Sequence, residues 1–145
     1  QSGRAYLYWT PGSEWAASLR YEYDLLENEI PFTPNLVATV ETHRFPVAFQ
    51  YFGPRGFIAG LEASYIDQRG RFQDVSAPPF PFASDRDEFW VLDAGVGYRL
   101  PGRRGLLRLE CRNCTDRSFR FQDVDPENPR VFPERVLLLR LTLSG

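Results

Sequence analysis

The sequence has no methionine and no lysine, a single histidine and only two cysteines. Each scarcity removes a class of function. With one histidine and no second cysteine pair, Cys111 and Cys114 cannot complete a zinc site from this chain. No histidine follows Cys114, which excludes covalent haem attachment, and no helix is readable after the CxxC, as thioredoxin-type chemistry would need. The lone His43 has no evident nucleophile beside it, and the carboxylate pair Glu22 and Asp24 has arginines for neighbours, so neither an enzyme nor a cofactor is expected. There is no run of about 18 apolar residues, and hence no transmembrane helix. That leaves membrane strands open, since they need only about 10 alternating residues. A net charge of -2 gives no reason to bind nucleic acid. Gln1-Ser2-Gly3 is no translation start, and the chain reads as a mature protein or a piece of a larger one.

What is present is alternation. Hydrophobic residues make up 43% of the chain, which excludes disorder. They recur at every second position. Trp15, Ala17, Leu19, Tyr21, Tyr23 and Leu25 oppose Ala16, Ser18, Arg20, Glu22 and Asp24, a pattern no helical period fits. The same reading gives strands over Arg4 to Thr10, Trp15 to Leu25, Leu36 to Phe52, Phe57 to Gln68, Phe89 to Leu100, from Leu106, and Val136 to Leu143. The third is expected to bend or bulge near Arg44, and Pro46 to interrupt its ladder. Tight turns fall at Pro11 to Glu14, Gly53 to Gly56 and Pro101 to Gly105. Longer loops fall at Glu27 to Asn35, at Arg69 to Arg86, with an extension of the preceding strand into its start left open, and at Val124 to Arg130. Short and long connections alternate, which puts all short turns at one end of the sheet. The pentapeptide RFQDV occurs at Arg71 to Val75 and again at Arg120 to Val124, each time where a strand enters a long loop.

The stretch Leu106 to Val124 carries the most specific signal. Leu107, Leu109 and Cys111 alternate with Arg108, Glu110 and Arg112, and then the alternation breaks at Asn113-Cys114-Thr115-Asp116-Arg117-Ser118-Phe119. This resembles the penultimate strand of the outer-membrane barrels called TonB-dependent receptors. Asn113, Asp116 and Phe119 match that family's pattern, while Cys114 stands where it usually has Leu or Ile. The resemblance implies a barrel of about 22 strands around a plug, importing iron chelates, cobalamin or other scarce solutes. It implies a place in the bacterial outer membrane. Residues 1–145 would then be a single β-barrel segment, the C-terminal third, with no plug and no second domain visible. Leu143-Ser144-Gly145 departs from the aromatic ending usual in that family. No ligand-binding residue can be carried over.

The fold expected is all-β: an antiparallel up-and-down transmembrane β-barrel segment of about seven strands, part of a larger barrel. Its charged face would line the lumen with Arg20, Glu22, Glu62, Asp93, Arg99, Arg108, Glu110, Arg112 and Arg140, opposite signs pairing across strands. Its apolar face would meet the lipid bilayer. Aromatic girdles are expected at Trp9, Trp15, Tyr51, Phe57 and Tyr98 near the short turns, and at Tyr21, Tyr23, Tyr65, Phe89 and Trp90 near the long loops. The two open edges would need partners: the remaining strands and plug of a larger protein, or other copies edge to edge. Residues three apart on a regular strand face opposite ways, so Cys111 and Cys114 are expected as small apolar fillers rather than a disulfide. Two other classes stay open. One is an export-type outer-membrane porin; the other is a soluble antiparallel β module whose apolar face is its core.

Overall fold

The structure, a computed structural model, describes residues 1–27, 37–73, 82–117 and 134–143; at 37, 38, 72, 73, 82, 83, 85 and 103 it describes the backbone alone. Seven strands follow one another: β1 (Ser2–Trp9), β2 (Trp15–Glu27), β3 (Val37–Phe52), β4 (Phe57–Gln73), β5 (Phe82–Leu100), β6 (Gly105–Arg112) and β7 (Val136–Leu143). All pair antiparallel in sequence order within one sheet, so the chain is an all-β, up-and-down open sheet with β1 and β7 at its edges. The only helical element among the described residues is the 3-10 turn Pro101–Arg103, and none is long and apolar enough to cross a membrane.

The short connections lie where Gly and Pro mark them. The Gly53 amide donates to the Phe57 carbonyl at 2.7 Å and the Gly56 amide to the Gly53 carbonyl at 3.0 Å, closing the β3–β4 turn with Gly56 at a φ of 87°. The β5–β6 turn ends on Gly105, whose φ is 154°. A Cβ there would run into the Thr142 carbonyl of β7, so this position accepts only glycine.

Most strand limits move by one to three residues from the sequence reading, and those of β4 and β5 move further. β4 runs on to Gln73 and β5 begins at Phe82, so most of the stretch from Arg69 to Arg86 is paired strand rather than loop. Its polar composition hid the pairing, because charges stand on both faces there. The register shift in β3 lies between Val37 and Thr39, not near Arg44. At Pro46 the β2–β3 ladder does lapse: pairing stops at Leu19 and Val47 and resumes at Glu22 and Arg44. Proline has no amide to give to β2 at that point. The long-loop positions 28–36 and 118–133, including Phe119 and the second RFQDV copy, lie outside the described residues.

Packing is one-sided. Val40, Ala48, Ile66, Phe89 and Val91 are buried, and all lie on the face that carries the ionic residues. Thr42, Ser64 and Gln68 are buried beside them, with the Gln68 amide donating to Thr42 Oγ1 at 2.9 Å. Phe89 is therefore not a girdle residue; it joins Ile66 and Val91 in a buried cluster on the charged face. Phe89 and Trp90 are neighbours on a strand, so only one of them can face outward, and it is Trp90. On the opposite face the large apolar side chains are uncovered: Leu7, Leu61, Leu109 and Leu139 are 66%, 47%, 47% and 72% exposed. No second sheet covers them among the described residues. Replacing Gly105 with alanine is expected to destabilise the sheet by about 1–3 kcal/mol through this steric clash; an unfolding midpoint equal to that of the parent would contradict the β6–β7 register.

Candidate functional site: two faces of one sheet

Side chains in register across strands share a face, so the apolar face can be read in rungs. Tyr21, Phe45, Tyr65 and Trp90 form an aromatic row across β2, β3, β4 and β5, with neighbouring ring centroids 4.9, 6.2 and 5.3 Å apart. Toward the short turns a second group forms. Trp15 meets Tyr51 at 4.7 Å, and Phe57 stands opposite Tyr98. Between the two lie Leu19, Val47, Ala63 and Leu92, then Ala17, Phe49, Leu61 and Ala94. Phe57 and Tyr65 are eight residues apart on β4. At roughly 3.3 Å per residue, that separation is about 26 Å along the strand.

Beyond the upper row the same face turns polar at once. A hydrogen bond of 2.9 Å joins Tyr21 Oη and His43 Nδ1, and His43 Nε2 lies 3.2 Å from Glu41. The Tyr65 hydroxyl donates to Glu88 at 3.1 Å. Arg86 donates to both oxygens of Asp67 at 2.9 Å, and Arg69 donates to the same carboxylate at 3.2 Å.

The charged face holds two ionic clusters. In the first, Arg44 reaches Glu22 and Glu62 at 3.3 Å each and Ser64 at 3.4 Å, while Arg20 pairs with Glu62. In the second, Arg112 meets Asp93 at 3.1 Å and Glu110 at 3.5 Å, and Arg108 meets Glu110 at 2.7 Å. Arg99 and Arg140 share this face but belong to neither cluster; Arg140 stands opposite Arg108. Arg44 was not among the residues expected from sequence, yet it is the hub of the first cluster. The signal was there, since it lies at an even spacing from Ala48 and Pro46, but the expected bend at Arg44 obscured its facing. Between the clusters Gly60 opposes Gly95, and with Ala48, Glu62, Asp93, Arg108 and Glu110 they border an open cleft of about 210 Å³. The missing side chains leave that space. Among the described residues no group of His, Cys, Asp and Glu gathers that could hold a metal ion.

The segment after β6 is a built turn. Asn113 is fully buried with a φ of 46°, and its amide group serves the backbone twice: Nδ2 donates to the Arg117 carbonyl at 3.0 Å and Oδ1 accepts from the Arg117 amide at 3.1 Å. Its own backbone amide donates to Asp93 at 2.8 Å. Asp116, at a φ of 52°, accepts from the Arg135 amide at 3.0 Å and so ties the turn to the approach of β7. Asn and Asp are the side-chain-bearing residues that best tolerate this left-handed conformation. The reversal at Asn113 overturns the expectation for the cysteines. The chain leaves the strand between them, their Cα atoms come to 5.5 Å, and Cys111 and Cys114 form a disulfide.

No family model, curated protein or solved structure matches this chain.

Asn113→Ala is expected to cost about 1–3 kcal/mol, because it removes both side-chain hydrogen bonds to the Arg117 backbone and leaves an alanine at a positive φ. Denaturant unfolding of the variant checks this, and an unchanged midpoint would mean that the turn does not depend on Asn113.

Proposed function

We propose that this chain is a transmembrane β-barrel segment of the bacterial outer membrane, part of a TonB-dependent receptor-like transporter that takes up scarce solutes such as iron chelates. One observation carries the membrane reading: an uncovered apolar face, bordered above and below by aromatic rings, on a single sheet whose other face is ionic. In water such a face would be covered by a second sheet. In a bilayer it meets acyl chains, with the aromatic rings at the two interfaces and the ionic face toward the lumen. Tilted by about 40°, as strands of such barrels are, the eight-residue separation of the two aromatic groups on β4 spans about 20 Å of membrane depth, close to their apolar band of about 25 Å.

The receptor reading is narrower. It is supported by Asn113 and Asp116, the two family-pattern positions within the described residues, which build one hydrogen-bonded turn between the last two strands. The disulfide suits an oxidising compartment. The open edges of β1 and β7 require partner strands, since an unpaired backbone group in lipid costs several kcal/mol. Those partners are further strands and a plug of a larger protein, or other copies of the chain. Its role is then to wall a passage, with no bond-making chemistry of its own.

Leu109 and Arg108 are neighbours on β6 that face opposite ways, so they test the sidedness as a pair. Leu109→Arg is expected to destabilise the lipid-inserted protein by about 2–4 kcal/mol, and Arg108→Gln by less. Folding titrations in phosphatidylcholine vesicles measure both. A chain that stays monodisperse in detergent-free buffer, and loses as little from Leu109→Arg as from Arg108→Gln, would return it to the soluble class.

A further inference from the structure

The two edge strands differ in charge from those between them. β2 to β6 each carry at least one carboxylate; β1 and β7 carry none. Each edge strand has instead one arginine on the ionic face, Arg4 on β1 and Arg140 on β7. Both are exposed, and neither side chain makes an ion pair or hydrogen bond among the described residues. Their own sheet has no carboxylate to spare for them. Arg4 stands in register with Glu22, which already takes Arg44 at 3.3 Å and Arg20 at 3.9 Å. Arg140 stands in register with Arg108, a like charge, and the neighbouring Glu110 is shared between Arg108 and Arg112. Inside the sheet the rule is the opposite: Glu22, Glu62 and Asp93 are each met by an arginine of an adjoining strand.

Strand direction is the second observation. Seven antiparallel strands in sequence order make β1 and β7 run the same way. Copies inserted alike in a membrane would therefore meet edge to edge only in parallel, whereas bacterial barrels close with antiparallel pairs. Two copies would also bring edges together that hold arginines and no acid. We infer that the partner of these edges is not a second copy but a different β segment, whose two outer strands run antiparallel to β1 and β7 and each set a carboxylate on the ionic face against Arg4 and Arg140. A partner that spans both edges contributes an odd number of strands. The direction argument rests on the membrane reading; the charge argument does not. Charged side chains on an edge also ward off stray strands. A glutamate would do that equally well, whereas pairing with a carboxylate needs the positive sign.

The test uses the protein as the cell makes it, from its own gene and in its own envelope, so that the strands it pairs with are present. The photoreactive residue p-benzoylphenylalanine replaces Thr142 on β7 or Tyr6 on β1, each the next ionic-face position after Arg140 or Arg4. After irradiation the joined peptides are sequenced by mass spectrometry. Each edge is expected to capture a strand with an Asp or Glu within about two residues of the joined site. Charge reversal then reads the pairing itself. R140E is expected to lower the folded, heat-modifiable fraction by about threefold or more, R140Q by less, and changing the captured acid to arginine in R140E to restore at least half of the loss. Within its own sheet R140E would face Arg108 with the opposite charge, so an arginine whose role ended there would give an unchanged or larger folded fraction. Capture of β1 or β7 of a second copy, no capture at either edge, a captured strand without an acid, R140E no worse than R140Q, or no restoration by the swap would each overturn the inference. Recovery of the protein with the soluble proteins of a detergent-free lysate would overturn the membrane reading, and the direction argument with it; the captured strands would then decide the acidic partner by themselves.

Discussion

A β-strand cannot turn two successive side chains the same way. In this chain that constraint acts on seven strands joined in one ladder, with no second layer among the described residues to relieve it. Each residue is therefore assigned to one of two environments by its place in the count. Leu19 and Arg20, Leu61 and Glu62, Leu92 and Asp93, and Leu109 and Arg108 are neighbours in sequence and opposites in space. A sheet of this kind is stable only where its two faces meet two different media, or where one face is wet and the other covered.

The charged face shows what holds the sheet together. Its burial is concentrated toward the long-loop end, where Ile66, Phe89 and Val91 pack together. The ionic clusters begin on the same rungs, where Glu22 and Arg44 stand in register with Ile66 and Phe89, and continue toward the short turns through Glu62 and Asp93. The first of them spans the place where the β2–β3 ladder lapses at Pro46: Arg20 and Arg44, on either side of the gap, both bind Glu62 of β4. Side-chain ion pairs thus cross three strands where two residue pairs of the β2–β3 ladder are missing. Half-buried pairs of this kind contribute modestly to stability. Their clearer effect is to fix register, since a slip of one residue would carry Glu62 to the apolar face.

Much of this was legible in the sequence, and the failures have physical causes. The seven strands, their order and the three short turns follow from period-two contrast and from Gly and Pro. That contrast fades where both faces are polar, which is why the paired ends of β4 and β5 read as loop. Phe89 read as a girdle residue because aromatic identity says nothing about facing; its neighbour Trp90 takes the outward position. The disulfide was missed for a different reason. It depends on the positive φ of Asn113, a local reversal that residue spacing alone cannot reveal. The turn itself was visible as a pattern at Asn113 and Asp116, but not its mechanism, in which a buried side-chain amide stands in for a strand partner. Arg44 was passed over at a position where a bend or bulge was expected; its ladder with β4 keeps register there.

The central claim is that one face of this sheet lies in lipid and the other does not. Nitroxide labels placed singly along β4, from Ala59 to Tyr65, and read for collision with dissolved oxygen and with a water-soluble nickel chelate, measure that directly. In vesicles, labels at Ala59, Leu61, Ala63 and Tyr65 should be oxygen-accessible and shielded from nickel, peaking for oxygen near Leu61 and Ala63. Labels at Gly60, Glu62 and Ser64 should lack that lipid signature, giving a period of two residues. Nickel reaching Leu61 and Ala63 as freely as Glu62, or no alternation at all, would contradict the account.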